Sequence, residues 1–598
     1  MESHAVIIDQ NDRLADFTRD WRILLLAGMA VIVGCISAVV AYLLVQLIAL
    51  ITNLAFHFRF STAESLPTPD GWKLGVVLIP MLGGLIIGLM AYYGSEKIRG
   101  HGIPEALEAI LIGRSKLQLK VAILKPLSSA ISIGTGGPFG AEGPIIMTGG
   151  AFGSLFAQLF SLSATERKIL LVAGAAGGMA AIFATPVAAV ILAVELLLFE
   201  WRPRSFIPVT IAASVAAVLR VPLLGSGPIF FVTPHSILAY ATFFWALVIG
   251  LVAGIVAAVV TGLVYAFEDL FHRLPIHWMW WPAIGGFCVG IGGLLDPRVM
   301  GVGYDTIHTL LRGELTGVTL WSLLIIKALV WSIALGSGTS GGVLAPLLII
   351  GGAVGALEAG FIPYDDAGLW ATISMAAVMS GTMRCPLTAI IFTIELTHDL
   401  NILPALLIGC VAAYAVTIFG MRRSILTEKV ARRGHHLVQE YTVDPFMLVR
   451  VSEVMDADIL SIPETMTVAE LADRIAQGEP ALTRHQALPI TSATGKLIGI
   501  ITRGDVVHAL GRDASGSMSV INAGSTQLIV TYPDELVHDA LAKIVHNNVG
   551  RLLVVHRNNP DQLIGYLGRA TILNARLQRL AEEEIREDGW LRSLMVKG

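Results

Sequence analysis

From Ile23 to about Phe419 the chain is dominated by apolar runs that a soluble domain has no room to hide. Three of them are "ILLLAGMAVIVGCISAVVAYLLVQLIALI", "LGVVLIPMLGGLIIGLMAYYG" and "FFWALVIGLVAGIVAAVVTGLVYAF". Each exceeds the roughly 20 apolar residues that a helix needs to cross a bilayer. Only 14% of the 598 residues are charged, against roughly 25% in soluble domains. The reading is an all-α, polytopic membrane protein. Its first twenty residues, "MESHAVIIDQNDRLADFTRD", are polar and lack the apolar core of a cleavable signal.

Charge supplies an orientation. Basic residues gather in "EKIRGHGIP", "GRSKLQLK", "EWRPRS" and "MRRSILTEKVARRG", which the positive-inside tendency places on the cytoplasmic side of a plasma (inner) membrane. The last of these leads into a segment of ordinary soluble composition, expected to be cytoplasmic as well. A net charge of −4 gives no sign of nucleic-acid binding. Cys35, Cys288, Cys385 and Cys410 lie in apolar stretches without CxxC spacing and read as small buried residues.

The membrane part is written twice. "GTGGPFGAEGP", from Gly134, matches "GSGTSGGVLAP", from Gly336: Gly134, Gly136, Gly140 and Pro144 fall on Gly336, Gly338, Gly342 and Pro346, 202 residues later. "GHGIPEALEAI" matches "GVGYDTIHTLL" at a spacing of 201, and "TPVAAVILAVEL" matches "CPLTAIIFTIEL" at 200, with Pro186 on Pro386 and Glu195 on Glu395. Close helix packing explains isolated glycines, but not three ordered matches at one spacing. Internal repeats in a membrane protein point to a transporter or channel with its site between the halves. The spacing leaves open whether the copies run parallel or inverted.

In each copy the matched loops set Gly-x-Gly before an apolar helix pattern. Glycine lets backbone N–H groups approach a ligand closely, and helix N-termini carry unpaired donors and partial positive charge. Several such ends meeting within the membrane favour an anion; a cation pathway more naturally uses carboxylates or carbonyls. Glu142 stands among these glycines, and a carboxylate inside a membrane protein is a functional hypothesis by default.

These residues resemble those of the CLC family of chloride channels and proton-coupled chloride antiporters. "GHGIP" (100–104) is similar to the family's GSGIP loop, "GAEGP" (140–144) to its G-K/R-E-G-P loop, and "GGVLAP" (341–346) to its G-x-F-x-P loop. The resemblance implies two inverted repeats, a homodimer with a pore in each subunit, and Glu142 as the gate. It implies an anion site formed by Gly100, His101, Gly102, Ile103, Pro104, Gly140, Gly143, Gly342, Val343 and Leu344. Chloride is the implied cargo.

The chain departs from the pattern in places. His101 replaces the common Ser; either its imidazole donates to the anion or it points aside, so nitrate and fluoride stay open beside chloride. Leu344 replaces Phe and keeps its bulk. No tyrosine stands between Met421 and Ser424, Tyr414 lies early, and the inner gate is either looser or supplied by Ser424. For the proton path two registers compete. Counting from Pro186 puts Glu195 on the first of the family's paired glutamates and Leu196 on the proton-carrying position. Counting back from Arg202 and Pro203 puts Glu200 there, and a local insertion would reconcile the two. The alternatives are a structural hydrogen-bonding role for Glu195, suggested by its repeat partner Glu395, and an ion pair with Arg202 or Arg204 for Glu200.

From about Leu448 short β-like runs alternate with helical ones, twice over, and resemble a pair of CBS domains. Such pairs often bind adenine nucleotides through a G-x-[IV]-[ST]-x-x-D stretch. The first copy has it as "GIITRGD", with Thr502 and Asp505; the second reads "GYLGRAT", with Gly568 and Thr571 at those places. At most one good nucleotide site per chain follows, and a purely structural role is an equal alternative.

The expected organisation is an N-terminal segment 1–21, a transport domain 22–434 with halves of about 22–220 and 238–421, a linker 435–447, CBS domains at 448–511 and 525–576, and a tail 577–598. The expected function is anion transport gated by Glu142, either coupled to proton counter-transport or passive, and not enzymatic; no cofactor is required. Two other classes compete. A CBS-regulated magnesium channel would need acidic residues along its pathway, and a membrane nucleotide sensor leaves the repeats unexplained.

Overall fold

The computed structural model describes residues 21–68, 74–230, 232, 234–235, 238–363, 366–434, 449–483, 486–575, 586–587 and 590. The linker expected at 435–447 therefore lies outside the described residues, as do the first twenty residues and most of the tail. The described residues form two compact units, one of 21–434 with 586–587 and 590, the other of 449–575.

The first unit is helical, and its helices come in two matching series. Arg22–His57, Gly75–Tyr93, Ile103–Leu111, Leu119–Gly134, Glu142–Gln158, Ala164–Phe183, Pro186–Leu192 and Pro203–Leu224 form the first. Tyr240–His272, Trp281–Leu295, Tyr304–Leu311, Val318–Gly336, Leu344–Ala359, Ala367–Met383, Pro386–Thr397 and Leu403–Gly420 form the second. Among the described residues seven helical segments are long and apolar enough to cross a membrane. Their outward faces carry large apolar side chains such as Leu24, Leu43, Val218, Phe244 and Ile255, the surface that lipid requires.

Four helices are largely enclosed by the rest of the unit: most residues of Glu142–Gln158, Ala164–Phe183, Leu344–Ala359 and Ala367–Met383 are buried. Small residues make this possible. Gly149 and Gly153 lie against the backbone of Gly174 and Leu170, and in the second series Gly351 and Gly355 lie against Ser374 and Trp370. At Gly153 a Cβ would collide with the Leu170 carbonyl. Van der Waals packing of close backbones is what holds helices together where no water remains to be expelled.

The second unit repeats one small α/β motif. Ile462–Pro463 pairs in parallel with Ala487–Thr491, which pairs antiparallel with Leu497–Thr502. Val530–Thr531, Arg551–His556 and Asn559–Gly568 repeat that order and those directions. Each copy has its own core, around Val468, Leu471 and Ile490 in the first and Val537, Ile544 and Val554 in the second. A third cluster of Leu497, Leu553, Val555 and Tyr566 joins the two sheets.

One pairing had no signal in the sequence. Arg586–Glu587, in the expected tail, forms a short antiparallel ladder with Leu162–Ser163 of the first unit.

Candidate functional site

The two glycine loops meet each other directly. Gly140 and Gly342 form an antiparallel bridge, and the Gly342 N–H donates to the Gly140 carbonyl at 2.8 Å. Equivalent residues of two copies pair antiparallel where a two-fold axis passes between them, so a local two-fold axis relates the two repeats at this point.

Glu142 is the first residue of the helix Glu142–Gln158 and is completely buried. Its Oε1 accepts the N–H of Ala345 at 3.1 Å, and its Oε2 has no hydrogen-bond partner. Ala345 lies in the first turn of Leu344–Ala359, so the carboxylate sits at the start of its own helix and touches the start of the equivalent helix in the other repeat. Both N-termini carry orphan donors and partial positive charge. A Cβ on Gly140 or Gly342 would overlap the carboxylate oxygens, which is why only glycine fits at either position. Val343 precedes that second helix and Leu344 opens it; the N–H that meets Glu142 belongs to the next residue, which the motif comparison did not single out.

The loop of Gly100, His101, Gly102, Ile103 and Pro104 approaches from the other side. Gly100 and Gly102 take φ of 79° and 89°, conformations open to glycine at little cost. Pro104 then opens the helix Ile103–Leu111, where its missing N–H is no loss. The His101 carbonyl lies against Gly143, where a Cβ would collide with it. His101 is 2% exposed and its Nδ1 has no hydrogen-bond partner. It lines a cavity of about 500 Å³ together with Arg99, Tyr265, Glu268, Lys429 and Arg433. Glu105 in the helix Ile103–Leu111 pairs with Lys429 at 3.2 Å and with Arg433 at 2.9 Å, tying the loop to the helix Ile425–Arg432.

Two lysines were missed in the sequence reading. Lys125 is wholly buried and its Nζ donates to the carbonyls of Ile98 (2.8 Å) and Gly100 (2.7 Å) and to Ser340 Oγ (3.0 Å). Because a trans peptide points its N–H opposite to its C=O, pinning the Gly100 carbonyl fixes the direction of the His101 N–H. Lys327, at the equivalent place in the second repeat, is also wholly buried and donates to the carbonyl of Val299 at 2.8 Å. The available signal was a lone lysine in each of "VAILKPLSSAISI" and "LLIIKALVWSIAL", 202 residues apart.

The proton-path candidates have specific surroundings. Glu195 accepts from Leu387 N–H (3.2 Å), Thr388 N–H (2.8 Å) and Thr388 Oγ1 (2.6 Å), which caps the helix Pro386–Thr397 with both carboxylate oxygens. Glu195 itself lies in a π-helical stretch over Ala193–Leu198 that follows the helix Pro186–Leu192 and ends at Phe199 in the left-handed conformation. Such a stretch absorbs extra residues within a helix, and it lies between Pro186 and Arg202, the two points from which the competing registers are counted. Glu200 accepts from Ser205 Oγ at 2.5 Å and lies 3.6 Å from Arg202 Nε. Ser424, considered as an inner gate, starts the helix Ile425–Arg432 with a reciprocal cap: its Oγ accepts the Thr427 N–H at 3.3 Å.

In the second unit Thr502 and Asp505 form a capping box at the start of the helix Arg503–Arg512. Asp505 Oδ2 accepts from Thr502 N–H (2.8 Å) and Thr502 Oγ1 (2.7 Å), while the Asp505 N–H donates back to Thr502 Oγ1 at 3.2 Å.

Residues 83–417 match the family model of the voltage gated chloride channels, and residues 451–512 and 521–578 match that of the CBS domain. The H(+)/Cl(−) exchange transporter ClcA of Salmonella paratyphi A is 28% identical over 429 residues, covering 69% of this chain and 89% of its own length. The crystal structure of a slow cyanobacterial Cl−/H+ antiporter superposes with a TM-score of 0.60 at 25% identity, covering 69% of this chain and 98% of that one. A eukaryotic CLC transporter covers 92% of this chain and 98% of its own, with a TM-score of 0.58 at 20% identity.

Proposed function

Because the chain belongs to the voltage gated chloride channel family, we propose that it exchanges chloride, or a related small anion such as nitrate or fluoride, for protons through a path gated by Glu142. The observation that carries this reading is the buried Glu142 carboxylate, which accepts the Ala345 N–H between the glycines of both repeats. Ionised, it occupies the place an anion would take at two helix N-termini. Protonated, it loses that attraction, swings out, and leaves the donors to the anion. The unpartnered Nδ1 of His101 would add a side-chain contact on the cavity side. Proton coupling is supported by the relatives, named as an H(+)/Cl(−) exchange transporter and a Cl−/H+ antiporter.

In this reading the protein works as a homodimer in the plasma membrane, with its CBS pair on the cytoplasmic side and at most one adenine nucleotide per chain at Thr502 and Asp505. It makes and breaks no covalent bond. The test is anion efflux from liposomes: Glu142→Gln should keep the flux and flatten its pH dependence between about pH 4.5 and 7.5, where carboxylates titrate. Unchanged pH dependence would remove Glu142 from the gate.

A second reading, passive conduction, is favoured by Leu196 at the proton-carrying position and by the engagement of Glu200 with Ser205 and Arg202. Glu200→Gln separates the two. Loss of proton movement with anion flux retained supports exchange through Glu200. A reversal potential that ignores the pH gradient in the parent protein supports passive conduction.

A further inference from the structure

The loop that carries His101 and its counterpart in the other repeat are preceded by different residues, Arg99 and Met300. Each lies against the equivalent glycine of the opposite repeat. A Cβ on Gly338 would come within 2.8 Å of Arg99 Nε and Nη2, and one on Gly136 within 2.5 Å of Met300 Cε. The packing here takes a long side chain against a glycine, and Met300, 3% exposed, supplies it without a charge. Arg99 instead lines the cavity of about 500 Å³ that His101 also lines. Three more cations line it, and each has a carboxylate: Lys429 has Glu105 (3.2 Å), Arg433 has Glu105 (2.9 Å) and Glu108, and Arg432 has Asp269 and Glu428. Glu96 and Glu268 line the cavity too, yet among the described residues the Arg99 side chain makes no ion pair or hydrogen bond, and its Nε is buried without a partner. Aromatic rings hold its guanidinium, 4.6 Å from the ring centroid of Trp278 and 5.7 Å from that of Trp281. Such cation–π contacts fix the group and leave its in-plane N–H donors unused.

We propose that Arg99 is an anion-binding residue that sets selectivity: it takes up the transported anion in the cavity it shares with His101, and favours planar oxyanions such as nitrate over chloride. This rests on the reading of the chain as an anion transporter and names the substrate class. A guanidinium keeps its charge throughout the physiological pH range, and its rigid fork meets a planar oxyanion with two parallel N–H bonds, a fit that a single spherical ion does not match. Comparison of the repeats separates this role from packing, because a thioether fills the equivalent position. It also separates Arg99 from its neighbours in the cavity, whose charges are already spent on carboxylates.

The test is anion flux from liposomes holding the full-length protein, measured at rising nitrate or rising chloride, for the parent, Arg99→Met and Arg99→Lys. Methionine is the residue the other repeat places against its glycine, so Arg99→Met removes the charge and keeps the packing; size-exclusion profiles check the fold. Arg99→Met should raise the half-saturating nitrate concentration about tenfold or more, the scale of one hydrogen bond to a charged partner, with a smaller rise for chloride. Arg99→Lys keeps the charge and loses the fork, so it should restore the chloride value and leave the nitrate value raised. Half-saturating concentrations within about twofold of the parent for both anions in both folded variants would overturn the proposal. So would a maximal rate lowered equally for both anions at unchanged half-saturation, the mark of a structural role. A parent that passes neither anion would instead overturn the transport reading, and this assignment with it.

Discussion

Glu195 and Glu395 cap each other's repeats. Glu195 accepts the first N–H groups of the helix Pro386–Thr397, and Glu395, exactly equivalent in sequence, accepts those of Val187 (3.0 Å) and Ala188 (2.8 Å) in the helix Pro186–Leu192. A helix that starts in a membrane protein has orphan donors and no water to satisfy them. Here each is satisfied by a carboxylate whose negative charge also suits the helix dipole. The exchange is reciprocal because the repeats are related by a two-fold axis, and it fastens one half of the molecule to the other.

Glu195→Ala and Glu395→Ala should each cost about 1–2 kcal/mol, the scale of a lost N-cap, and the double variant should cost close to their sum, since they serve different helices. Thermal unfolding in detergent reads both. Glu195→Ala should also keep whatever proton flux the parent shows. Lost proton flux at unchanged stability would move Glu195 from the cap to the proton path.

His101→Ala should weaken anion binding and change the chloride-to-nitrate preference, and His101→Ser should move selectivity toward that of relatives with serine. The motive is a buried imidazole with an unpartnered Nδ1. Titrations with chloride, nitrate and fluoride decide the matter: identical rankings and affinities in all three proteins would leave binding to the backbone N–H groups alone.

His235 is clamped between two carboxylates in the connection before the helix Tyr240–His272. Its Nε2 lies 3.5 Å from Asp366 and its Nδ1 2.6 Å from Asp399. The bond to Asp366 and then that to Asp399 push its pKa up to about 9, against the opposing effect of burial. A group raised above its unfolded value of about 6.5 stabilises fully below that pH and loses its contribution as pH rises through the folded value. Thermal stability should therefore fall between about pH 6.5 and 9, and His235→Gln should remove that part of the slope. A parent and variant with parallel pH profiles would exclude the clamp.

Asp505→Asn should keep the start of the helix Arg503–Arg512 capped, since an amide oxygen accepts the same bonds, while removing the charge that would hold ribose hydroxyls. Titration of ATP, ADP or AMP into the full chain should show no more than one site per chain, weakened about tenfold or more in the variant. Two equal sites would contradict the reading of Gly568 and Thr571. No binding at all would leave Thr502 and Asp505 as a cap and nothing more.

What the sequence determined by itself is whatever local composition and spacing record. Apolar length gives the membrane helices, and three matches 200 to 202 residues apart give the duplication. Glycines beside Glu142 mark the site because close approach forbids a Cβ there. The switch to short alternating runs marks the CBS pair. The tertiary structure alone decided which partners these residues meet: Ala345 rather than its neighbours on Glu142, Glu195 on the opposite repeat, His235 between Asp366 and Asp399, Arg586–Glu587 beside Leu162–Ser163. It also separated Lys125 from Lys327, two residues alike in sequence position and burial. Each of these contacts joins segments more than a hundred residues apart, and no helical or strand period carries information over such a distance. The two-fold packing of the repeats brings them together, and a small difference between the copies, Ser340 against Pro138, gives Lys125 a hydroxyl acceptor that has no counterpart in the other repeat.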